Sequence, residues 1–198
     1  MAPKIEVPIH DAYNYWHAHA ISLISSVDKG GNPNVAPYGE YMVFNAFNAN
    51  PPIVLFGPTI ERKTYKNILE TKDFVTNVPH EGLIDQINII AKEHDQKINK
   101  FKSSGLTPIP SLKVKSPSVK ECKIHYECKL LRIDYFGKNK ALVFGEIVAI
   151  TLDEELASLS EIDRIEAVRS IFYGSFKKDG KSFGKYYSLG DVIGAHNL

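Results

Sequence analysis

The 198-residue sequence predicts a mainly β fold, largely antiparallel, with helices inserted into it. Two observations carry this. Roughly six segments alternate apolar and polar residues or stay apolar for a strand's length, and several are joined by a tight turn and a direct return, as antiparallel neighbours are. Only two or three stretches have a helical period, and they do not alternate with strands as βαβ units would. A small barrel with helical insertions satisfies both, as a single domain over residues 1–198.

Ala18 to Asp28 reads as the first strand, with Ile21, Leu23, Ser25 and Val27 on one face. Lys29-Gly30-Gly31-Asn32 is a hairpin turn, since glycine accepts positive φ. A second, irregular strand region runs from near Asn34 to Phe47, is punctuated by Asn50-Pro51-Pro52, and is followed by a short buried strand, Ile53 to Gly57. Thr64 to Leu69 changes to helical spacing, with Thr64 as N-cap and Ile68 and Leu69 facing inward. Phe74 to Val78 is again a strand, and Leu83, Ile84, Ile87, Ile90 and Ala91 mark an amphipathic helix. Polar residues Lys92 to Lys100 lead into a Ser- and Pro-rich loop, Ser103 to Ser118, long enough to be a functional or dimer-contact element. Alternation returns at Cys122 and shifts phase at Leu131, which predicts a bulge. After the turn at Gly137 to Lys140, the strand Ala141 to Leu152 is apolar on both faces and therefore central. Ser160 and Asp163 form a capping box for a short helix marked by Ile162, Ile165 and Val168. From Phe172 to Leu198 the chain is rich in glycine and aromatics without clear periodicity.

The composition, 43% hydrophobic and 24% charged, is that of a globular domain, and a net charge of +1 provides no uniform field for nucleic acid or an anionic membrane. Met1 to His10 carry no apolar signal core, and no run of about 18 apolar residues exists to span a membrane. Cys122 and Cys128, placed on one strand, would lie about 20 Å apart, beyond the roughly 7 Å a disulfide bridges, so they are read as reduced thiols suited to the cytoplasm. No G-x-G-x-x-G, no complete P-loop around Gly180-Lys181-Ser182 and no G-x-S-x-G is present. His17 and His19 share a strand face without a third ligand at a telling spacing, so no metal site is expected.

Three segments stand together: Gly31-Asn32-Pro33-Asn34-Val35-Ala36-Pro37-Tyr38; Phe44 to Pro52 running on into Ile53-Val54-Leu55-Phe56; and Arg62-Lys63-Thr64-Tyr65-Lys66-Asn67-Ile68 followed by Phe74 to Val78. In order and spacing they resemble the flavin reductase-like family of FMN-binding split β-barrels, which includes flavoredoxin. The resemblance runs from Ile21 through Gly105-Leu106-Thr107-Pro108 and Pro117 and fades after about Leu152.

The residues suit such a ligand. A phosphate dianion is well held by a helix N-terminus, a hydroxyl and a cation, which Arg62, Lys63 and Thr64 place together. The resemblance implies that Asn34, Ala36, Pro37, Tyr38 and Gly39 run along the flavin ring edge. Gly39 stands where the family often has a hydroxyl, and Lys63 where it often has an acid. Asn45, Asn48, Ala49 and Asn50 are candidates for the ribityl chain and phosphate, and Tyr186 or Tyr187, in a stretch that loosely resembles the family's Gly-Tyr-Tyr, for covering the flavin or the partner subunit. The implied activity is hydride transfer from NADH or NADPH to FMN at N5 and on to free flavin, an iron complex or a protein acceptor, by a homodimer. A flavoredoxin-type carrier without NAD(P)H activity and a non-catalytic ligand-binding barrel are the alternatives.

Overall fold

The computed structural model describes residues 4, 6, 8, 18–44, 50–93, 95–178 and 181–188. The elements follow in chain order: β1 (His19–Ala20), β2 (Ser22–Val27), β3 (Pro33–Tyr38), β4 (Tyr41–Phe44), β5 (Ile53–Phe56), α1 (Lys63–Thr71), β6 (Asp73–Val78), a 3-10 turn at Glu81–Leu83, and α2 (Ile84–Lys92). Then come α3 (Lys100–Ser104), β7 (Pro108–Ile109), β8 (Ser118–Val119), β9 (Ile124–Phe136), β10 (Lys140–Leu152), α4 (Glu154–Ala157), α5 (Glu161–Val168), β11 (Ile171–Lys178) and β12 (Lys181–Ser188).

Seven strands form an antiparallel sheet in the order β3-β2-β6-β9-β10-β5-β4, curled into a half-barrel. The curl is visible in the rings. Tyr38 on β3 meets Phe56 on β5 edge-on at 4.8 Å, although four strands separate β3 from β5 in the sheet, and Phe56 meets Phe74 on β6 at 5.3 Å. Phe56, Phe74, Val54, Val143 and Cys128 fill the interior, and α1 inserts Tyr65 and Ile68 among them. Each fully buried aromatic of this set contributes roughly 1.5–3 kcal/mol by its removal from water.

β2 is buried along its whole length and divides two cores. Ile24 points into the barrel, whereas Leu23 points the other way into a second cluster with Ile87 and Ile90 of α2 and Phe101 of α3. The β2–β3 turn forms as the sequence predicts: Gly31 has φ 82°, and Asp28 Oδ1 accepts from the N–H groups of Gly30 and Asn32, both at 2.9 Å. The bulge expected at Leu131 is present, since Phe144 pairs with Arg132 and Gly145 with Leu130. β10 lies between β9 and β5, the central place its two apolar faces require. Ser160 caps α5 by accepting from Asp163 N at 3.2 Å.

Several sequence expectations are corrected. The first strand breaks at Ile21, whose N–H bonds Ile171 O at 3.0 Å, so β1 joins β11 and β12 in a separate three-stranded sheet. Over Ile171–Lys178 and Lys181–Ser188 the aperiodic tail therefore forms two paired antiparallel strands; its glycines and aromatics interrupted the alternation that identifies a strand. The strand region after Asn34 is split at Gly39–Glu40, which puts β3 and β4 on opposite edges of the main sheet. Leu69 is 37% exposed rather than inward, and Cys122 precedes β9 rather than lying on it. Both cysteines are buried and unpaired, and burial raises both thiol pKa values.

The segment from Ser103 to Ser118 holds the end of α3 and the β7–β8 pair, and polar side chains buried in the sheet pin it. Asp73 accepts from Lys115 N (3.1 Å), Ser116 N (3.0 Å) and Ser116 Oγ (2.6 Å). Glu127, with no exposed surface, accepts from Leu112 N (2.7 Å) and Lys113 N (2.6 Å). Asn77 Oδ1 accepts from Val119 N at 2.8 Å. The loop's order thus comes from distant strands rather than from its own period. No helix among the described residues is long and apolar enough to cross a membrane.

In Glu127→Gln, an amide N–H₂ would face one of two backbone N–H groups. Denaturant unfolding is expected to show a loss of about 2–3 kcal/mol; unchanged stability would contradict the pinning role.

Candidate functional site

Two amide side chains seat α1 on the β2–β3 hairpin. Asn34 Nδ2 donates to Thr64 Oγ1 at 2.9 Å, and Asn67 Nδ2 donates to Ser26 Oγ at 3.1 Å, with all four residues buried. The spacing Thr64, Asn67, Ile68 thus has a structural reading: two polar pegs on one helix face, followed by an apolar one in the barrel.

Arg62, with extended backbone, is the N-cap, and no side chain caps the helix; its first turn holds no acidic residue. This corrects the reading of Thr64 as the cap: it lies inside the first turn, and its hydroxyl accepts from Asn34. The first N–H groups of a helix have no intrahelical acceptor and carry the positive end of its dipole. Beside them Asn34 Oδ1, in a residue 1% exposed, has no hydrogen-bond partner among the described residues. Buried polar atoms are seldom left so.

These groups open into a cleft of about 800 Å³ bounded by the half-barrel, α1, the α2–α3 connection and the second sheet. Of the residues singled out in the sequence, β3 and its exit bring Asn34, Ala36, Pro37, Tyr38 and Gly39 to the cleft, the start of α1 brings Arg62, Lys63 and Thr64, and β12 brings Tyr186. Asn50 is exposed and does not line it, while Asn45, Asn48 and Ala49 lie outside the described residues. β3 is the edge strand of its sheet, so part of its backbone faces the cleft unpaired with another strand. Met42, Leu55 and Leu142 supply apolar surface. Burial pushes the Tyr38 hydroxyl up to about 12, against the opposing pull of a Thr64 hydrogen bond and the Arg62 charge, so it remains a donor at neutral pH.

The sequence did not reveal Lys100. It stands at the start of α3, half-buried in the cleft, its Nζ 3.4 Å from Ile90 O. Burial lowers its pKa, and the charges of Arg62 and Lys63 lower it further, against Glu93. The connection that carries it is tied over the start of α1: Gln96 Nε2 donates to Glu61 O (2.9 Å), and Lys66 Nζ donates to Gln96 Oε1 (3.0 Å). Asn99, whose side chain caps α3, was the available signal for this helix. His19 and Tyr173 also line the cleft; His17 lies outside the described residues. The described residues hold no group of three or more His, Cys, Asp or Glu placed to bind a metal.

An uncapped helix start flanked by cations is suited to an anionic group. A family model described as flavin reductase like domain matches residues 15–164, and the chain belongs to that family. An uncharacterized protein of Aquifex aeolicus is 30% identical over 173 residues, covering 84% of this chain and 82% of its own. Nitrilotriacetate monooxygenase component B from Bacillus cereus superposes with a TM-score of 0.81 at 22% identity, over 98% of this chain and 100% of that one. Flavoredoxin of Desulfovibrio vulgaris (Miyazaki F) does so with a TM-score of 0.77 at 20% identity, over 98% and 97%. These likenesses bear on the fold, which is the split β-barrel.

Lys100 offers a stability test. Its folded pKa lies below its unfolded value of about 10.4, so between the two values the unfolded chain binds more protons and stability rises with pH. Because the buried thiols and Tyr38, with raised pKa values, oppose this in the whole protein, the rise is read as a difference: in denaturant titrations of the ligand-free protein at alkaline pH, the stability of wild type relative to Lys100→Met should increase with pH up to the unfolded lysine value. Lys100→Met should melt no lower than wild type, because a desolvated cation facing two others is removed; a fall of several degrees would contradict this.

Proposed function

We propose that the cleft binds FMN with its phosphate on the first turn of α1, and that the protein is an NAD(P)H-dependent flavin reductase. The observation that carries the reading is the uncapped helix start flanked by Arg62, Lys63 and Lys100. The donor set fits the group: cations, a hydroxyl and helix N–H donors for a dianion, an open strand edge for ring heteroatoms, and apolar side chains for the flat ring.

In this reading Thr64, Arg62, Lys63 and Lys100 hold the phosphate. Asn34 stands beside the polar chain with Asn45, Asn48 and Ala49, and the backbone from Asn34 through Ala36, Pro37, Tyr38 and Gly39 follows the ring edge. Main-chain donors there stabilise negative charge on the ring, and Tyr186 closes the cleft from the second sheet. Bound FMN supplies the redox chemistry, accepting hydride from NADH or NADPH and passing electrons to free flavin, an iron complex or a protein acceptor; the protein supplies anchorage and orientation. The sequence lacks a dinucleotide fingerprint, which fits a nicotinamide nucleotide that visits rather than stays. Exposed Leu131, Tyr135, Phe136 and Ile150 on β9 and β10 favour a homodimer, and unpaired buried thiols favour a reducing cytoplasm. The likeness to a flavoredoxin favours, as second reading, an electron carrier with bound FMN and no NAD(P)H oxidation.

Protein incubated with FMN and then freed of unbound flavin by gel filtration should remain yellow and bleach on anaerobic addition of NADPH or NADH; colour without bleaching selects the carrier. Arg62→Ala combined with Thr64→Ala should weaken FMN by roughly two orders of magnitude and leave riboflavin nearly unaffected. Unchanged FMN affinity in that variant would overturn the phosphate assignment.

A further inference from the structure

The second sheet presents a row of three rings to the cleft. His19 on β1 pairs with Tyr173 on β11, which pairs with Tyr186 on β12. Directly opposed residues of antiparallel strands point to the same face, and all three line the cleft. The Tyr173 and Tyr186 rings lie 5.4 Å apart, tilted by 50°.

Glycines fix two of these rings. A methyl group at Gly39 would stand 2.9 Å from His19 Nε2 and 3.2 Å from its Cδ2, and one at Gly184 would collide with the Tyr173 ring and hydroxyl. Neither glycine has positive φ, so room for a ring, rather than backbone freedom, is what each position requires. Because Gly39 follows directly on β3, the imidazole rests at the exit of the open strand edge.

Charge is distributed unevenly. Arg62, Lys63 and Lys100 gather at the α1 end, while Lys140, elsewhere in the lining, is ion-paired with Glu40 at 3.7 Å. The row itself brings only phenols and an imidazole, which stack on planar groups and donate hydrogen bonds to oxygen. At about 800 Å³ the cleft is near the upper end of ordinary ligand sites, roughly 300–1,000 Å³, and has room for a second flat molecule.

We propose that the His19–Tyr173–Tyr186 row is the docking platform for the electron acceptor, a planar conjugated dicarbonyl of the quinone class without phosphate, and that His19 donates a proton to it. The proposal rests on the FMN reading. The acceptor takes a hydride from the reduced flavin and a proton from the His19 imidazole, so its two carbonyl oxygens leave as the hydroxyls of a hydroquinone. The flavin is returned to its oxidised form, to be reduced again by the nicotinamide hydride donor, and His19 regains its proton from water.

The test uses FMN-loaded protein, photoreduced anaerobically and mixed with menadione or with ferricyanide, which takes electrons one at a time and needs no stacking platform. Tyr186→Leu should raise the menadione concentration for half-saturation roughly three- to tenfold. His19→Ala should mainly lower the limiting rate. Gly39→Ala, which displaces the imidazole, should match His19→Ala, and the two together should be no worse than either alone. The ferricyanide rate of His19→Ala should stay within about twofold of wild type. Naphthol, a planar phenol that accepts no electrons, should bind oxidised holoprotein more weakly in Tyr186→Leu, read from the flavin absorbance. Wild-type menadione kinetics and naphthol affinity in the variants, or a parallel loss with ferricyanide, would overturn the platform while leaving the FMN reading intact. A wild-type protein that takes up no FMN would overturn both.

Discussion

The site depends on the way α1 is seated. Its N-terminal turn is held against the β2–β3 hairpin by the Asn34–Thr64 and Asn67–Ser26 bonds, in a place where water cannot compete for them. Because Thr64 is used as a peg rather than a cap, the first backbone donors of the helix stay available, and a partial positive charge faces the cleft. Packing then makes the arrangement rigid, since Tyr65 and Ile68 of the same helix are built into the barrel core.

That arrangement is electrostatically unfavourable in the ligand-free state. Lys100 is partly desolvated and feels the charges of Arg62 and Lys63, against Glu93. Such local penalties persist when the surrounding structure enforces them, and they are relieved by a ligand of opposite charge. The connection between α2 and α3 enforces this one, because Gln96 bridges Glu61 and Lys66 and so brings α3 over the start of α1. Burial on both faces of β2 links the layers: the barrel and the α2–α3 core share that strand, so displacing either displaces the cleft.

Much of the half-barrel could be read from the sequence because its signals are local. The hairpin at Gly31, the central strand from Ala141 and the bulge at Leu131 each follow from residue type and period. The tail escaped because β11 and β12 carry glycines under rings, as at Gly184 beneath Tyr173, which erases alternation while making a well-packed hairpin. Lys100 and Gln96 escaped because their roles come from tertiary placement in a polar stretch with no period. The cationic helix start was legible at Arg62, Lys63 and Thr64, which are adjacent in sequence, whereas the ring row is assembled from residues 19, 173 and 186, which only the three-stranded sheet brings together.

The central claim is that a phosphate dianion completes the first turn of α1. A crystal structure of the protein with FMN tests it most directly. The account predicts the phosphate oxygens within hydrogen-bonding distance of the first-turn N–H groups and the Thr64 hydroxyl, with Lys100 in the same shell. A phosphate found elsewhere in the cleft or in solvent, with the helix start bonded to protein alone, would contradict it.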